Sequence, residues 1–378
     1  MLLTITIIKK SSSYSEYGLK SRCDLALLNV LFMSSPPVDK YLVRVHCATF
    51  DHASFITNAM NGFAMQQTSF PFVCTIMDDA STDGAQTVIK NYLKDFFDLQ
   101  DTSVSFEKET EYGQVIFSRH KTNKNCHFAV ILLYENHYSQ KKSKASYLVE
   151  WNHTKYLALC EGDDYWTDPM KLQKQVDYME SHPDCSLCCH NTVTHWYDGR
   201  CPDKLYTHFE DRDYSVQEII KDWQMPATGS YMYRTRFSQG YSDCMKSHPG
   251  IIIGDIPLLL FCSREGHIHA LSDVMGVYGK HAGGWTQSFD ARKTYLFAYS
   301  WEVTREAFKN SYYEVLRSIP TGLYLAAISR SIKEKNIKVL MASVYRGIIR
   351  HPFDGLMALL RLPGERKKRI EKERASHE

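Results

Sequence analysis

Apolar positions along the chain follow two periods, and they switch from one to the other in a regular order. Tyr41-Leu42-Val43-Arg44-Val45-His46-Cys47-Ala48 is rich in strand formers and reads as a first strand. Phe55, Ile56, Ala59, Met60 and Phe63 then recur at helical spacing. A second strand, Phe72-Val73-Cys74-Thr75-Ile76-Met77, enters Asp78-Asp79. Ser81 is expected to cap the next helix, with Val88, Ile89, Tyr92, Leu93 and Phe96 inward. Short apolar runs at Val115-Ile116-Phe117 and Ala129-Val130-Ile131-Leu132-Leu133 follow. Tyr156-Leu157-Ala158-Leu159-Cys160 leads into Asp163-Asp164. A helix with Leu172, Val176 and Met179 inward is expected next, capped by Asp168 with Pro169 at its first position. Strands alternating with helices predict an α/β fold with a mainly parallel sheet flanked by helices.

Outside this core the pattern changes. Residues 1–37 carry Ser11-Ser12-Ser13 and Ser34-Ser35-Pro36-Pro37 and read as an N-terminal extension, poorly ordered, with Met33 as the natural start. Residues 38–290 form the expected main domain, divided near residue 185. Residues 291–378 read as a helical C-terminal extension. Its tail mixes Ile348, Ile349, Phe353, Leu356 and Leu360 with arginines and ends in Arg366-Lys367-Lys368-Arg369. Such a basic amphipathic segment suits peripheral membrane contact, or a docking helix with a solvated end.

The 378 residues allow one large domain with appendages, or two domains. A net charge of +2 leaves no footprint for nucleic acid, and no such partner is expected. The 11 cysteines are scattered, mostly inside apolar runs, as in a reducing compartment. Cys185 and Cys188 have zinc-type spacing but no second pair at the right distance, so a strand is the better reading. The N-terminus places its charge after its apolar stretch, unlike a signal peptide, and no apolar run has spanning length. A cytoplasmic location is expected.

The chemistry is expected at the strand ends. Unpaired carboxylates are costly to bury, so Asp78-Asp79 and Asp163-Asp164 mark a crevice at the carboxyl edge of the sheet. Adjacent carboxylates suit magnesium or manganese, which complete their shells with substrate phosphates. No glycine-rich phosphate loop is present. A bound diphosphate is therefore expected to be neutralised by metal.

Three ordered motifs resemble those of family-2 glycosyltransferases over roughly residues 40–285. Thr49-Phe50-Asp51-His52-Ala53-Ser54-Phe55-Ile56 is similar to their T-Y-N-H opening. Asp78-Asp79-Ala80-Ser81-Thr82-Asp83-Gly84 is similar to D-D-x-S-x-D-G. Glu161-Gly162-Asp163-Asp164-Tyr165-Trp166 is similar to E-G-D-D-Y-W. The resemblance implies a GT-A (Rossmann-like) fold with a nucleotide-sugar half at 38–185 and an acceptor half at 186–290. It implies a metal-dependent, usually inverting transfer from a nucleotide-diphosphate sugar, such as a UDP-sugar, to a glycan or lipid-linked acceptor.

By the same resemblance, Thr49 and Asp51 line the base, with Asp51 replacing the common asparagine. Asp79 binds the base with Asp78 beside it, and Asn136 belongs to a turn near the donor. Asp163 and Asp164 touch ribose and metal, Asp164 being the expected direct ligand of Mn2+ or Mg2+. Asp255, in Gly254-Asp255-Ile256-Pro257, matches the general base, and the plain alternative is a helix cap. Thr228-Gly229-Ser230 matches an acceptor-side stretch more loosely. His281 is expected at the diphosphate or metal. Gly279 stands where many relatives carry arginine, which moves a phosphate contact to Lys280 or removes it. Polysaccharide biosynthesis at a bacterial membrane would be the setting. A nucleotidyltransferase and a non-catalytic nucleotide-sugar binder or scaffold are the alternatives.

Overall fold

The computed structural model describes residues 40–221, 223–284, 287, 289–350 and 352–353. The expected extension over 1–37, including Met33, and most of the basic tail lie outside them. The chain divides into two units, residues 1–40 and 41–378, and the description below concerns the second.

Its first half runs β1 (Val43–Thr49), α1 (Ile56–Ala64), β2 (Phe72–Asp78), α2 (Ala85–Phe96), β3 (Ser105–Glu109), β4 (Gly113–Arg119), β5 (Cys126–Leu133), β6 (Tyr156–Leu159), β7 (Tyr165–Trp166) and α3 (Lys171–Ser181). The second half runs β8 (Cys185–Trp196), β9 (Lys204–Leu205), β10 (Arg212–Tyr214), α4 (Val216–Lys221), β11 (Met232–Arg234), α5 (Ser238–Ser247), α6 (Asp255–Glu265) and β12 (His267–Lys280). Among the described residues there follow α7 (Ala291–Ala307), α8 (Lys309–Leu316), α9 (Ile319–Lys333) and α10 (Ile337–Val344).

One sheet, ordered β10-β12-β8-β11-β6-β1-β2-β5-β4-β3, passes through both halves. Its centre, β6-β1-β2-β5, is parallel, as the alternation of strand and helix requires. β2 and β5 are buried along their whole length, which explains their unbroken apolar runs. Antiparallel pairs extend this centre on both sides: β4 and β3 beyond β5, and the short β11 between β6 and β8. β8 and β12 are again parallel to each other. On one face, α1, α2 and α3 cover Val43, Val45, Phe128 and Trp166. On the other, α6 and the C-terminal helices cover Leu157, Tyr233 and Ile268 with Leu259, Trp301 and Leu316.

Three local expectations are corrected. Ser81 does not cap α2; the helix begins after Gly84, at φ 96°, while Ser81 donates from its amide and hydroxyl to Asp78. Phe96 is exposed, and Phe97 turns inward instead, because α2 ends there. Asp168 accepts from the Met170 amide at 2.7 Å, and α3 starts only at Lys171, so Pro169 lies before the helix. Cys185, Cys188 and Cys189 are buried in β8, with thiols directed at backbone carbonyls, as small hydrophobes.

The C-terminal helices are tied together by a buried carboxylate. Glu302 on α7 accepts from the Tyr324 hydroxyl at 2.6 Å and from Arg346 and Arg350 at 3.1 Å. Among the described residues no helix is long and apolar enough to cross a membrane.

Candidate active site

The parallel centre brings three carboxyl ends to one edge. Thr49 lies beside Asp78 in register, and the loop after β6 folds back across β1. That loop is fixed by backbone bonds from Cys160 N to His46 O, 3.1 Å, and from Gly162 N to Ala48 O, 3.0 Å. A Cβ at residue 162 would lie 2.5 Å from Thr49 Oγ1 and 2.9 Å from His52 Nδ1. Only glycine lets the loop approach so closely.

The base-side residues are bound to one another. Asp51 adopts φ 53°, a left-handed conformation that aspartate tolerates. Its amide donates to Ser81 Oγ at 2.8 Å, and its Oδ1 accepts from Thr82 N at 2.7 Å. Asp78 is fully buried and accepts from Ser81 and, at 2.7 Å, from Gln86 Nε2. Asp79 accepts from the amides of His137 and Tyr138 at 2.8 and 3.0 Å and pairs with Lys144 at 2.9 Å. Burial would raise its carboxyl, but Lys144 and the two amides outweigh that and hold it below the usual range. Asn136 donates to Asp79 O at 3.1 Å and accepts from Ser139 N at 2.7 Å.

A second group gathers around Asp163. His281 Nε2 lies 3.1 Å from Asp163 Oδ2, and His52 Nδ1 lies 4.0 Å from Asp163 Oδ1. One ligand atom from each of His52, Asp163 and His281 falls within 4.8 Å of the others. His52 Nδ1, Asp163 Oδ1 and the nearby Thr49 Oγ1 are buried without a hydrogen-bond partner. Phe55 packs on the His281 ring at 4.6 Å and fixes its plane. Burial lowers the His52 pKa more than the Asp163 charge raises it, so the ring favours its neutral, ligating form. Burial raises Asp163, but the His281 hydrogen bond and the nearness of His52 prevail, keeping it ionised. Two imidazoles and one carboxylate, with an unpartnered atom on His52 and on Asp163, fit a divalent transition metal.

Asp164, the expected direct ligand, is not brought into this group. Its Oδ1 accepts from Gly279 N at 2.8 Å, and the side chain is buried. Burial, with the charges of Asp163 and Glu161, pushes its carboxyl well up. It clasps the end of β12 to the loop after β6. This clasp also accounts for Gly279. A Cβ there would lie 2.7 Å from the Tyr197 ring and closer still to the Asp163 carbonyl, so no arginine fits. Lys280 does not take over toward the site: its Nζ lies over the Trp196 ring at 4.8 Å.

Asp255 opens α6, where a negative charge suits the helix dipole. Its Oδ1 accepts from Ile256 N at 2.8 Å, but the cap position is held by Gly254 and no side chain caps the helix, so the plain reading of Asp255 as a helix cap is not met. Burial raises its carboxyl. Glu161 is exposed, yet protein walls surround it. Desolvation, then the charges of Asp163 and Asp255, push it up to about 7. Asp255 thus lies near enough for its charge to act on Glu161. The Thr228–Ser230 turn lies against the same loop: Trp166 Nε1 donates to Gly229 O at 2.8 Å.

The sequence reading assigned no role to His52 or Glu161. Both stand inside quoted motifs, and the signal was there: a histidine three residues past a strand end, and a carboxylate two residues before Asp163.

No family model matches the chain. Two proteins printed as uncharacterized, Rv1520 of Mycobacterium tuberculosis (strain H37Rv) and Mb1547 of Mycobacterium bovis, are each 30% identical over 248 residues. The match covers 65% of this chain and 61% of each relative, so the chain spans less than two thirds of their length. Among solved structures, S. aureus TarS 1–349 in complex with UDP-GlcNAc is 14% identical, covering 80% of this chain and 91% of that one, with a TM-score of 0.42. The mannosyltransferase PcManGT from Pyrobaculum calidifontis, in complex with GDP-Man and Mn2+, is 11% identical, covering 87% and 82%, with a TM-score of 0.44. At these scores no residue role is carried across.

Proposed function

We propose that the chain is a metal-dependent, inverting glycosyltransferase of the GT-A, family-2 type. It would transfer a sugar from a nucleotide-diphosphate donor, a UDP-sugar first among candidates, to a glycan or lipid-linked acceptor in polysaccharide biosynthesis. The cytoplasmic side of a membrane would be its place. The observation that carries this reading is the His52, Asp163 and His281 group, with unpartnered atoms on His52 and Asp163, at the carboxyl edge of parallel strands.

These three residues would hold the metal, whose charge would offset that developing on the departing diphosphate. Imidazole donors favour manganese over magnesium. The nucleoside would lie over the ends of β1 and β2. There Asp51, Asp78, Asp79 and Asn136 shape the pocket through bonds already made, and Thr49 Oγ1 offers an unpartnered contact. Asp255 would take the acceptor hydroxyl proton as that oxygen attacks the anomeric carbon and the bond to the diphosphate breaks. A carboxyl raised by burial is better matched to that task than an ordinary one. Asp255→Asn should lower kcat about 10²–10⁴-fold and leave donor affinity unchanged; unchanged kcat would point to another base.

The test is a panel of nucleotide sugars with Mn2+, Mg2+ or chelator. Release of nucleoside diphosphate from one donor, lost with chelator, is expected. Release of pyrophosphate would instead establish a nucleotidyltransferase. Neither release nor calorimetric binding across the panel would overturn the reading in favour of a scaffold.

A further inference from the structure

The last described helix is inverted. α10 continues through a π turn, Tyr345–Ile349, closed by the bond from Arg350 N to Tyr345 O at 2.8 Å. Its inner side carries small and charged residues. Ser343 is buried, Gly347 lies so close to Tyr324 that a Cβ would come within 2.6 Å, and Arg346 reaches Glu302. Its outer side carries Ile337, Met341, Tyr345 and Ile349, between 57 and 72 % exposed. A surface helix ordinarily shows the opposite arrangement.

The spacing keeps these side chains in one row. In a straight α-helix, residues four apart drift by about 40° per step. The wider π turn between Tyr345 and Ile349 rotates the row back. Ile332, at the end of α9, adds a further exposed apolar group. The flanks are basic: Lys333, Lys335, Lys338 and Arg350 are exposed. The one acid among them, Glu334, is occupied in accepting from Ala291 N at 3.0 Å. In the sequence, Arg366-Lys367-Lys368-Arg369 follow.

We propose that this outer row is a docking surface for an anionic lipid bilayer, lying in its interface with the lysines against headgroup phosphates. Large apolar side chains rimmed by cations match that surface in both hydropathy and charge. A second copy of this chain would meet the same lysines with its own, which disfavours a self-interface. The proposal goes beyond the transferase reading and does not depend on it.

The experiment is co-sedimentation of the full chain with phosphatidylcholine vesicles, with and without phosphatidylglycerol. The wild type should bind the anionic vesicles, and binding should weaken with salt. M341E/I349E should bind about tenfold more weakly or not at all, with an unchanged melting curve. K333E/K335E/K338E should lose the preference for anionic lipid. Should M341E/I349E fail to fold, Ile337→Ser gives the same readout at the most exposed position. Absence of wild-type binding to anionic vesicles overturns the proposal. So does equal binding by wild type and M341E/I349E, as expected if the tail alone makes the contact or covers the row. A wild-type dimer by light scattering that M341E/I349E separates, without vesicle binding, would assign the row to a second copy. Soluble donor turnover by M341E/I349E should match the wild type, which separates failure here from failure of the transferase reading.

Discussion

Two sets of acidic residues stand at one edge of the sheet, and they differ in what they still have to give. Asp51, Asp78 and Asp79 accept hydrogen bonds from Thr82, Gln86, His137, Tyr138 and Lys144. Asp163 keeps a buried oxygen without a hydrogen bond, beside a histidine nitrogen in the same condition. Saturated carboxylates hold loops in shape, whereas a buried, unsaturated one is costly unless something binds it. Residue type and strand-end position are the same in both sets. Only the tally of partners tells scaffold from ligand.

The comparison breaks most sharply at Asp163. Asp163→Asn should lower metal-dependent donor turnover about 10³-fold or more and abolish Mn2+ binding by calorimetry, with little change in melting temperature. Truncating a fully buried, saturated carboxylate should do the reverse. Asp78→Ala leaves the half-buried Ser81 without its acceptor and removes one of the two acceptors of Gln86 Nε2, and should cost about 1–2 kcal/mol in denaturant unfolding. If it instead spared stability and removed donor binding, the distinction would fail.

A smaller effect lies at Lys171. This lysine is fully buried, its ammonium stacked 3.7 Å from the centre of the Trp166 ring and without a hydrogen-bond partner. Burial brings its pKa down to about 7. The unfolded chain therefore holds the extra proton between about pH 7 and the ordinary lysine value, and stability should rise with pH across that window. The slope is at most about 1.4 kcal/mol per pH unit. Lys171→Met should flatten the rise relative to wild type, and parallel curves would show that the lysine is charged in the fold. The smallest effect is expected at Asp51. An asparagine there tolerates φ 53° and can keep the bond from Thr82, so Asp51→Asn should change stability by less than about 0.5 kcal/mol. A large loss of donor affinity would mean that the Asp51 charge reads the base.

The central strands were legible because β2, β5 and β6 bury mainly apolar runs, β1 sets Val43, Val45 and Cys47 at every second position, and α1 and α3 repeat every turn. β12 was not. Register shifts between Leu271 and Val274, and again before Gly276, break its period of two. β7 and β11, at two and three residues, are too short to show any period. The start of α2 was misplaced because Ser81 had a partner nearer than the helix, namely Asp78. In the candidate site, the motifs singled out Asp163 and His281, which the structure brings together. They could not reveal that Asp164 turns away, since that follows from the end of β12, more than a hundred residues later in the chain. His52 stands in a visible motif, but its place beside Asp163 depends on how the loop after β6 folds back, which no local pattern shows.

The clasp between Asp164 and Gly279 bears on how any mutational scan of this protein would be read. Gly279 is two residues before His281, so loosening the clasp moves a donor that Asp164 never touches. A survey scored by activity alone would rank Asp164 with Asp163 and report two ligands. On the proposed reading a metal titration separates them: replacing Asp163 should remove the binding isotherm, whereas replacing Asp164 should leave binding that is weaker and slower to form. In this protein, importance and contact are distinct properties, and adjacent positions carry one each.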